Sequence, residues 1–460
     1  MSRSDDEYVP PSLPFDSQES LVRSTGNTTD HSNTQNPSHH PLFMMDRTNW
    51  TFLNHGAFGG ALQCGYDRAH QWRAYLEEQP LRFFDRDLLP HLVYSARRMA
   101  TFCNAQDNKQ GMALAQNVTS LLNAAISGYV QHYQQSAKIV IWDTSYGTVK
   151  KMAHAYCNTV IEIPFQSNYL SHLTEVDGTD DIFLQALDDT LMSSSIDPTT
   201  TWHNTLLILD HTTSNTAINV PIELLSKRAK ELGMIVLVDG AHGLLAQDVN
   251  VTKLTNVDMY VSNGHKWLSC PRGVAMMYCP HAWIRDTILK RPAVVSHGID
   301  DGYLSRFLWD GCRDYAAQLA LPVVLDVWEK AHPPLVRSWI HSQLTTAVSI
   351  LAESWHGCGD DMESWPGHVT LGPMSVHSPM VLVKLPSRLC GKGGTATMME
   401  APPKTSADAK QIQDFLFDHH IEVPIKCING ILYVRLSCHI YNELKEYDRL
   451  GQVMLTYPPS

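Results

Sequence analysis

Basic residues are in short supply and nowhere clustered. The chain has 35 Lys and Arg against 47 Asp and Glu, a formal net charge of -12, and no run of like basic residues. That balance disfavours nucleic acid or an anionic membrane as the main partner, so any phosphate or carboxylate must be caught by local geometry rather than by the global field. The ten cysteines are dispersed and contain no Cys-x-x-Cys pair, which argues against a zinc ribbon or a disulfide framework and fits a reducing, cytoplasmic compartment. No stretch approaches the roughly 18 uninterrupted apolar residues of a membrane helix. A secretory h-region and an Arg-rich transit pattern are likewise missing. Gly391-Lys392-Gly393-Gly394 lacks the Walker spacing and reads as an exposed loop.

Ordinary globular composition is what remains, with 43% hydrophobic and 18% charged residues over 460 positions. That length exceeds one compact core and predicts two domains with extensions. Residues 1–45, rich in Ser, Asn, Asp, Thr and His, read as a disordered tail, and His39-His40 within it lacks the partner ligands of a metal site. From 46 to 310 strands and helices alternate. Helices are expected at 61–78, 87–104, 119–133, after 148 and at 221–232. Strands are expected at 138–142, 160–164, 205–209, 235–238, 257–261 and 274–278. This α/β pattern predicts a mostly parallel sheet sandwiched by helices. Residues 311–460 change to helices at 315–331, 335–355, 407–419 and from 441, with strands at 380–385, 421–427 and 431–437, a smaller α+β domain.

Two of the predicted strands end in reactive side chains. Ile235 to Val238 leads into Asp239-Gly240-Ala241-His242, and Val257 to Val261 leads into Ser262-Asn263-Gly264-His265-Lys266-Trp267. Ligands bind at the C-terminal edge of such sheets. A lysine on one strand and an acid on the next is the pairing a pyridoxal phosphate site needs, the amine for the aldehyde and the carboxylate for the pyridine nitrogen. Other pieces fall at the same edge. Asn117-Val118-Thr119-Ser120 enters a helix and reads either as a plain N-cap or as a phosphate seat. Tyr146 follows the strand ending at Trp142 and can stack on a planar ring or sit as a loop aromatic. Asp210-His211-Thr212-Thr213-Ser214-Asn215 is a hydrogen-bonding turn. Asp239, His242 and His265 also admit a metal-hydrolase reading, since carboxylate and imidazoles are competent ligands.

In their order, Leu53-Asn54-His55-Gly56-Ala57-Phe58-Gly59, Asn117-Val118-Thr119-Ser120, Val238-Asp239-Gly240-Ala241-His242-Gly243, Asn263-Gly264-His265-Lys266-Trp267, Gly311-Cys312-Arg313-Asp314-Tyr315 and Arg435-Leu436-Ser437-Cys438-His439-Ile440-Tyr441-Asn442 resemble the class V aminotransferase family. The similar branch contains isopenicillin N epimerase-like proteins, cysteine desulfhydrases and hercynylcysteine sulfoxide lyases. The resemblance implies the pyridoxal phosphate-dependent transferase fold type I and a homodimer with active sites at its interface. Carried over by motif position, Lys266 binds the cofactor and Asp239 protonates its ring. Thr119, the Val118 backbone, Asn263 and His265 hold the phosphate, Tyr146 stacks, and His242 and His211 lie beside the cofactor. Arg435 takes the substrate α-carboxylate, with Asn54 and His55 near the substrate entrance. Cys312 replaces the usual Thr and, as a poorer donor, puts a phosphate contact from that position in doubt.

The resemblance further implies a small amino-acid substrate and a lyase that cleaves the carbon–sulfur bond of a cysteine-derived amino acid by β-elimination. Epimerisation and transamination are the alternatives within the family, and a non-catalytic cofactor-binding protein is the alternative outside catalysis. A cysteine desulfurase would need an activated thiol on a mobile loop; Cys358 and Cys390 occupy suitable positions without an activating basic neighbourhood.

Overall fold

The computed structural model describes residues 11–15, 42–173, 178–194, 202–391 and 403–458. In chain order the principal elements are β1 (Thr51–Phe52), α1 (Gln63–Glu78), α2 (Leu88–Phe102), β2 (Met112–Ala115), α3 (Val118–Tyr133), β3 (Lys138–Trp142), α4 (Gly147–Tyr156), β4 (Val160–Ile163), α5 (Thr179–Ser193), β5 (Thr205–Asp210), α6 (Ile222–Glu231), β6 (Ile235–Asp239), β7 (Met259–Asn263) and β8 (Ala275–Tyr278). They continue with α7 (Leu321–Ala331), α8 (Pro333–His356), β9 (Met380–Lys384), α9 (Ser406–Asp418), β10 (Ile421–Glu422), β11 (Ile425–Ile428), β12 (Ile431–Ser437) and α10 (Leu444–Leu455).

Seven strands form the large sheet in the order β2-β8-β7-β6-β5-β3-β4. The pairs from β4 to β7 are parallel, and β8 and β2 join antiparallel at one edge. Every residue of β5, β6 and β7 is buried, as expected of central strands covered on both faces, which read as continuous apolar runs. Two apolar cores flank the sheet. Because the side-chain period is two, Leu207, Leu209, Val236 and Val238 face one core while Leu206, Ile208, Ile235 and Leu237 face the other. Both sets end at the same rim, so β5, β6 and β7 deliver Asp210, Asp239 and Asn263 side by side.

Several boundaries differ from the sequence expectation for local reasons. The helix expected over 315–331 breaks at Ala320, and Pro322 sits in the first turn of α7, where its missing N–H costs nothing. The strand expected over 421–427 divides around Pro424, which cannot donate to a ladder. The terminal helix starts at Leu444 rather than Tyr441, with Glu443 and Glu446 forming a reciprocal cap. Strand β2, short and without β-branched residues, and helix α5, whose apolar stripe is diluted by aspartates, carried no readable signal.

The three-way division into 1–45, 46–310 and 311–460 is crossed by contacts. Residues 11–15 of the expected tail lie on the helical layer, with Phe15 edge-on to Trp72 at 5.0 Å, and Phe43 is buried. Thr51–Phe52 pairs with Ile421–Glu422, so the start of the large unit is built into the small one. Helix α7 packs on α1 and α2, and Arg98 of α2 bridges to Asp326 and Glu329 at 2.8 and 2.9 Å. The His39-His40 pair and most of the Gly391–Gly394 loop lie outside the described residues. No helix among the described residues is long and apolar enough to cross a membrane.

Candidate active site

A cavity of about 220 Å³ opens at the C-terminal rim of β5, β6 and β7. Of the residues singled out from sequence, Lys266, Asp239, His242, His265, Asn263, Thr119, Val118 and Tyr146 all line it. Gly59 is the reason the lysine loop can sit so close to the neighbouring segment. Its φ is +68°, and a Cβ there would run into the His265 carbonyl.

The surroundings of Lys266 shift it toward its neutral form. The Trp267 indole N–H donates to His242 Nδ1 at 3.2 Å, and His242 Nε2 lies 3.1 Å from Lys266 Nζ. An indole nitrogen can only donate. Nδ1 is therefore the acceptor, and burial, reinforced by Lys266 and Arg435, holds His242 far below its usual range and so uncharged. Its single proton then sits on Nε2 and points at Nζ, an arrangement that favours the neutral amine over the ammonium. Consistently, burial brings Lys266 down to about 8, against the opposing pull of Asp239.

Asp239 is anchored by the Ala241 N–H at 3.0 Å. Directly opposite it on the next strand stands Asp210, unmarked by any sequence signal beyond its place at a strand end. Asp210 lines the cavity and accepts from the Ser145 hydroxyl at 2.7 Å. Burial first, and Asp239 second, raise the Asp210 carboxyl. Two carboxylates about 5 Å apart at an effective dielectric near 20 repel by roughly 3 kcal/mol, so the pair keeps one proton and presents one negative charge. Asp210, rather than the neighbouring His211, faces the cavity. His211 is not part of the lining, bonds Tyr260 Oη at 2.8 Å, and burial takes it down to about 4.

The phosphate end needs a similar correction. Asn117 caps α3 by accepting from Ser120 N at 2.9 Å, and Asn263 Oδ1 accepts from Val118 N at 3.1 Å. The Val118 N–H is thus already used, and Asn263 acts by tying the helix start to β7. The Thr119 N–H and hydroxyl have no partner among the described residues, and His265 Nδ1 is buried without one. The free Thr119 donors at the helix N-terminus, with the unpartnered His265 ring nitrogen on the loop facing them, fit a phosphate group.

Arg435 lies outside the cavity lining but next to it, bonding the carbonyl of Ser214, a lining residue, and Asn54 Oδ1 at 3.2 Å. Asn54 therefore orients Arg435. His55 is fully buried behind the lysine, with Nε2 3.1 Å from the Lys266 carbonyl and Nδ1 3.0 Å from Tyr441 Oη, so it supports the loop and does not stand at an entrance. Cys312 is exposed and away from the cavity. Among the described residues no group of three or more His, Cys, Asp or Glu could hold a metal, so Asp239, His242 and His265 do not form a metal centre. No described cysteine lines the cavity, and the Cys390 thiol is raised by burial.

The residues present fit pyridoxal phosphate: a buried lysine with a lowered pKa, a buried carboxylate pair, an exposed Tyr146 at the rim and free donors at the start of α3. Comparison with known proteins agrees. The family model for class V aminotransferases matches residues 94–292. The chain is 25% identical over 438 residues to an L-cysteine desulfhydrase of Arabidopsis thaliana, covering 89% of this chain and 88% of that one. It is 24% identical over 425 residues to the isopenicillin N epimerase of Amycolatopsis lactamdurans, covering 88% and 94%. In fold it is similar to the cystine C–S lyase C-DES in complex with its product cysteine persulfide, with a TM-score of 0.66 at 17% identity over 89% of this chain and 98% of that one.

Proposed function

We propose that this chain, a member of the class V aminotransferase family, is a pyridoxal phosphate-dependent carbon–sulfur lyase acting on a cysteine-derived amino acid. The observation that carries the cofactor chemistry is Lys266, its amine 3.1 Å from His242 Nε2 and in one cavity with the buried Asp239–Asp210 pair. The desulfhydrases among its relatives and the lack of a described cysteine in the cavity favour elimination over desulfurase chemistry.

Bound pyridoxal phosphate supplies an aldehyde for the amines and a ring that accepts electrons from the substrate Cα. Lys266 would carry it, Asp239 would hold the proton of its ring nitrogen, and Thr119 with His265 would hold its phosphate. Arg435 orients the substrate through a bidentate grip on the α-carboxylate. Lys266, uncharged once freed, takes the proton from Cα as general base. A sulfur substituent on Cβ then leaves as thiolate, and the remaining carbon skeleton takes up water to give pyruvate and ammonium. The proposal includes a homodimer: Phe58 lines the cavity yet is 66% exposed, a position suited to cover by a second copy.

The test is incubation of the cofactor-loaded protein with a panel of S-substituted cysteines while pyruvate, ammonia and thiol are assayed. Stoichiometric release of all three is the expected result. Racemised or transaminated amino acid without pyruvate would overturn the lyase reading in favour of its epimerase or aminotransferase alternatives.

A further inference from the structure

Lys426 and Arg435 share one face of the small sheet. β11 and β12 are antiparallel with Lys426 opposite Tyr433, so Arg435, two residues beyond Tyr433, points to the same side and lies on the diagonal from Lys426, about 7–8 Å away between backbones. That face is turned toward the cofactor domain. Arg435 reaches Ser214 at the cavity wall, and at the hairpin tip Asn429 exchanges hydrogen bonds with Gln166 at 3.2 and 2.9 Å.

A hairpin lysine ordinarily extends into water. Here burial, followed by Arg435, takes Lys426 down to about 8. Neither cation has a carboxylate partner among the described residues. Arg435 bonds only a carbonyl and an amide oxygen, leaving its Nε buried without a partner, and Glu422 joins the cluster through Asn54. Two neighbouring, partly desolvated cations without a direct carboxylate contact are costly. In the proposed reaction the α-carboxylate of the amino acid supplies one negative charge at Arg435, which leaves Lys426 open to a second anionic group on the substrate.

We propose that Lys426 forms a second anion subsite and that the preferred substrates are cysteine conjugates whose sulfur substituent carries a carboxylate. The proposal rests on the carbon–sulfur lyase reading and deepens it. The reaction is conjugate plus water giving pyruvate, ammonium and a carboxylate-bearing thiol: the Cβ–S bond breaks, sulfur keeps the electron pair and is protonated, and no oxidant or reductant is consumed.

S-(carboxymethyl)cysteine and S-(carbamoylmethyl)cysteine match in size and differ in charge, which makes them the probes. Titrated into the holoenzyme and followed by the change in cofactor absorbance, the carboxylate should bind about tenfold more tightly, the scale of one hydrogen bond to a charged group. Lys426→Met should remove that preference and Lys426→Arg should keep it. Equal binding of the two probes, a preference that survives Lys426→Met, or equal weakening of both probes by Lys426→Met overturns the subsite. Tighter binding of the carboxylate without pyruvate from either probe leaves the subsite standing and defeats the lyase reading. Pyruvate from both without a binding preference defeats the subsite alone.

Discussion

The indole N–H of Trp267 donates to Nδ1 of His242 at 3.2 Å, and that single bond decides which face of the imidazole carries the proton offered to Lys266. A hydrogen bond donated to the neutral amine favours the neutral form and lowers its pKa. Trp267→Phe keeps most of the ring volume, frees Nδ1 and admits the other tautomer, so Lys266 should titrate above its present value of about 8. The pH dependence of the rate at which apoprotein captures pyridoxal phosphate reports this. Its midpoint should move to higher pH in the variant, and an unmoved midpoint would refute the relay.

Asp210 gives a stability prediction with a definite sign. Its carboxyl is raised in the folded state, so its contribution is fully present below the ordinary carboxylate pKa of about 3.9 and is lost as pH rises through the folded value. Asp210→Asn removes the titration. Between pH 5 and pH 8 apoprotein Tm should fall less in the variant than in the parent, and parallel Tm profiles would count against a shared proton.

Under the proposed function, Asp239→Asn removes the charge that would hold the proton of the cofactor's ring nitrogen. A fall in kcat of about 100-fold or more is expected, the scale of losing one preorganised electrostatic partner. Steady-state pyruvate release measures it, with cofactor content determined separately so that weak loading is not mistaken for slow chemistry.

Arg435→Lys should raise KM for amino-acid substrates by about 10- to 100-fold, since an ammonium cannot reproduce the two-pronged grip proposed for the guanidinium and one charged hydrogen bond is worth about 1.5–3 kcal/mol. Asn54→Ala should shift KM in the same direction by less, because Asn54 fixes only one of the guanidinium nitrogens.

Thr119→Val deletes a hydroxyl at the proposed phosphate seat and should weaken cofactor binding by about tenfold, near 1.4 kcal/mol. Val118 substitutions that keep the backbone should have little effect there, since the Val118 N–H already serves Asn263. Fluorescence titration of apoprotein with pyridoxal phosphate separates the two.

Much of this site was legible in the sequence because strands end where apolar runs end. Lys138–Trp142 and Ile431–Ser437 begin and end where expected, and Lys266 and Asp239 were found at strand ends by the same reasoning. Asp210 has the same placement but stood in a turn rich in polar residues, and nothing local separated its carboxylate from the His211 imidazole beside it. His55 and Asn54 were recognisable as a motif while their work was not, since one backs the Lys266 carbonyl and the other holds Arg435 across hundreds of residues.

Sequence alone determined the family resemblance, the alternation of elements and the placement of Lys266 just after a buried strand, because these depend on periodicity and on ordered short motifs that survive without coordinates. Tertiary structure decided protonation and orientation. That Lys266 is shifted toward its neutral form, that Asp210 and Asp239 face each other with raised carboxyls, that Val118 is unavailable and that Lys426 stands beside Arg435 all follow from burial and from hydrogen bonds between distant strands. Neither quantity is a property of any local stretch of chain.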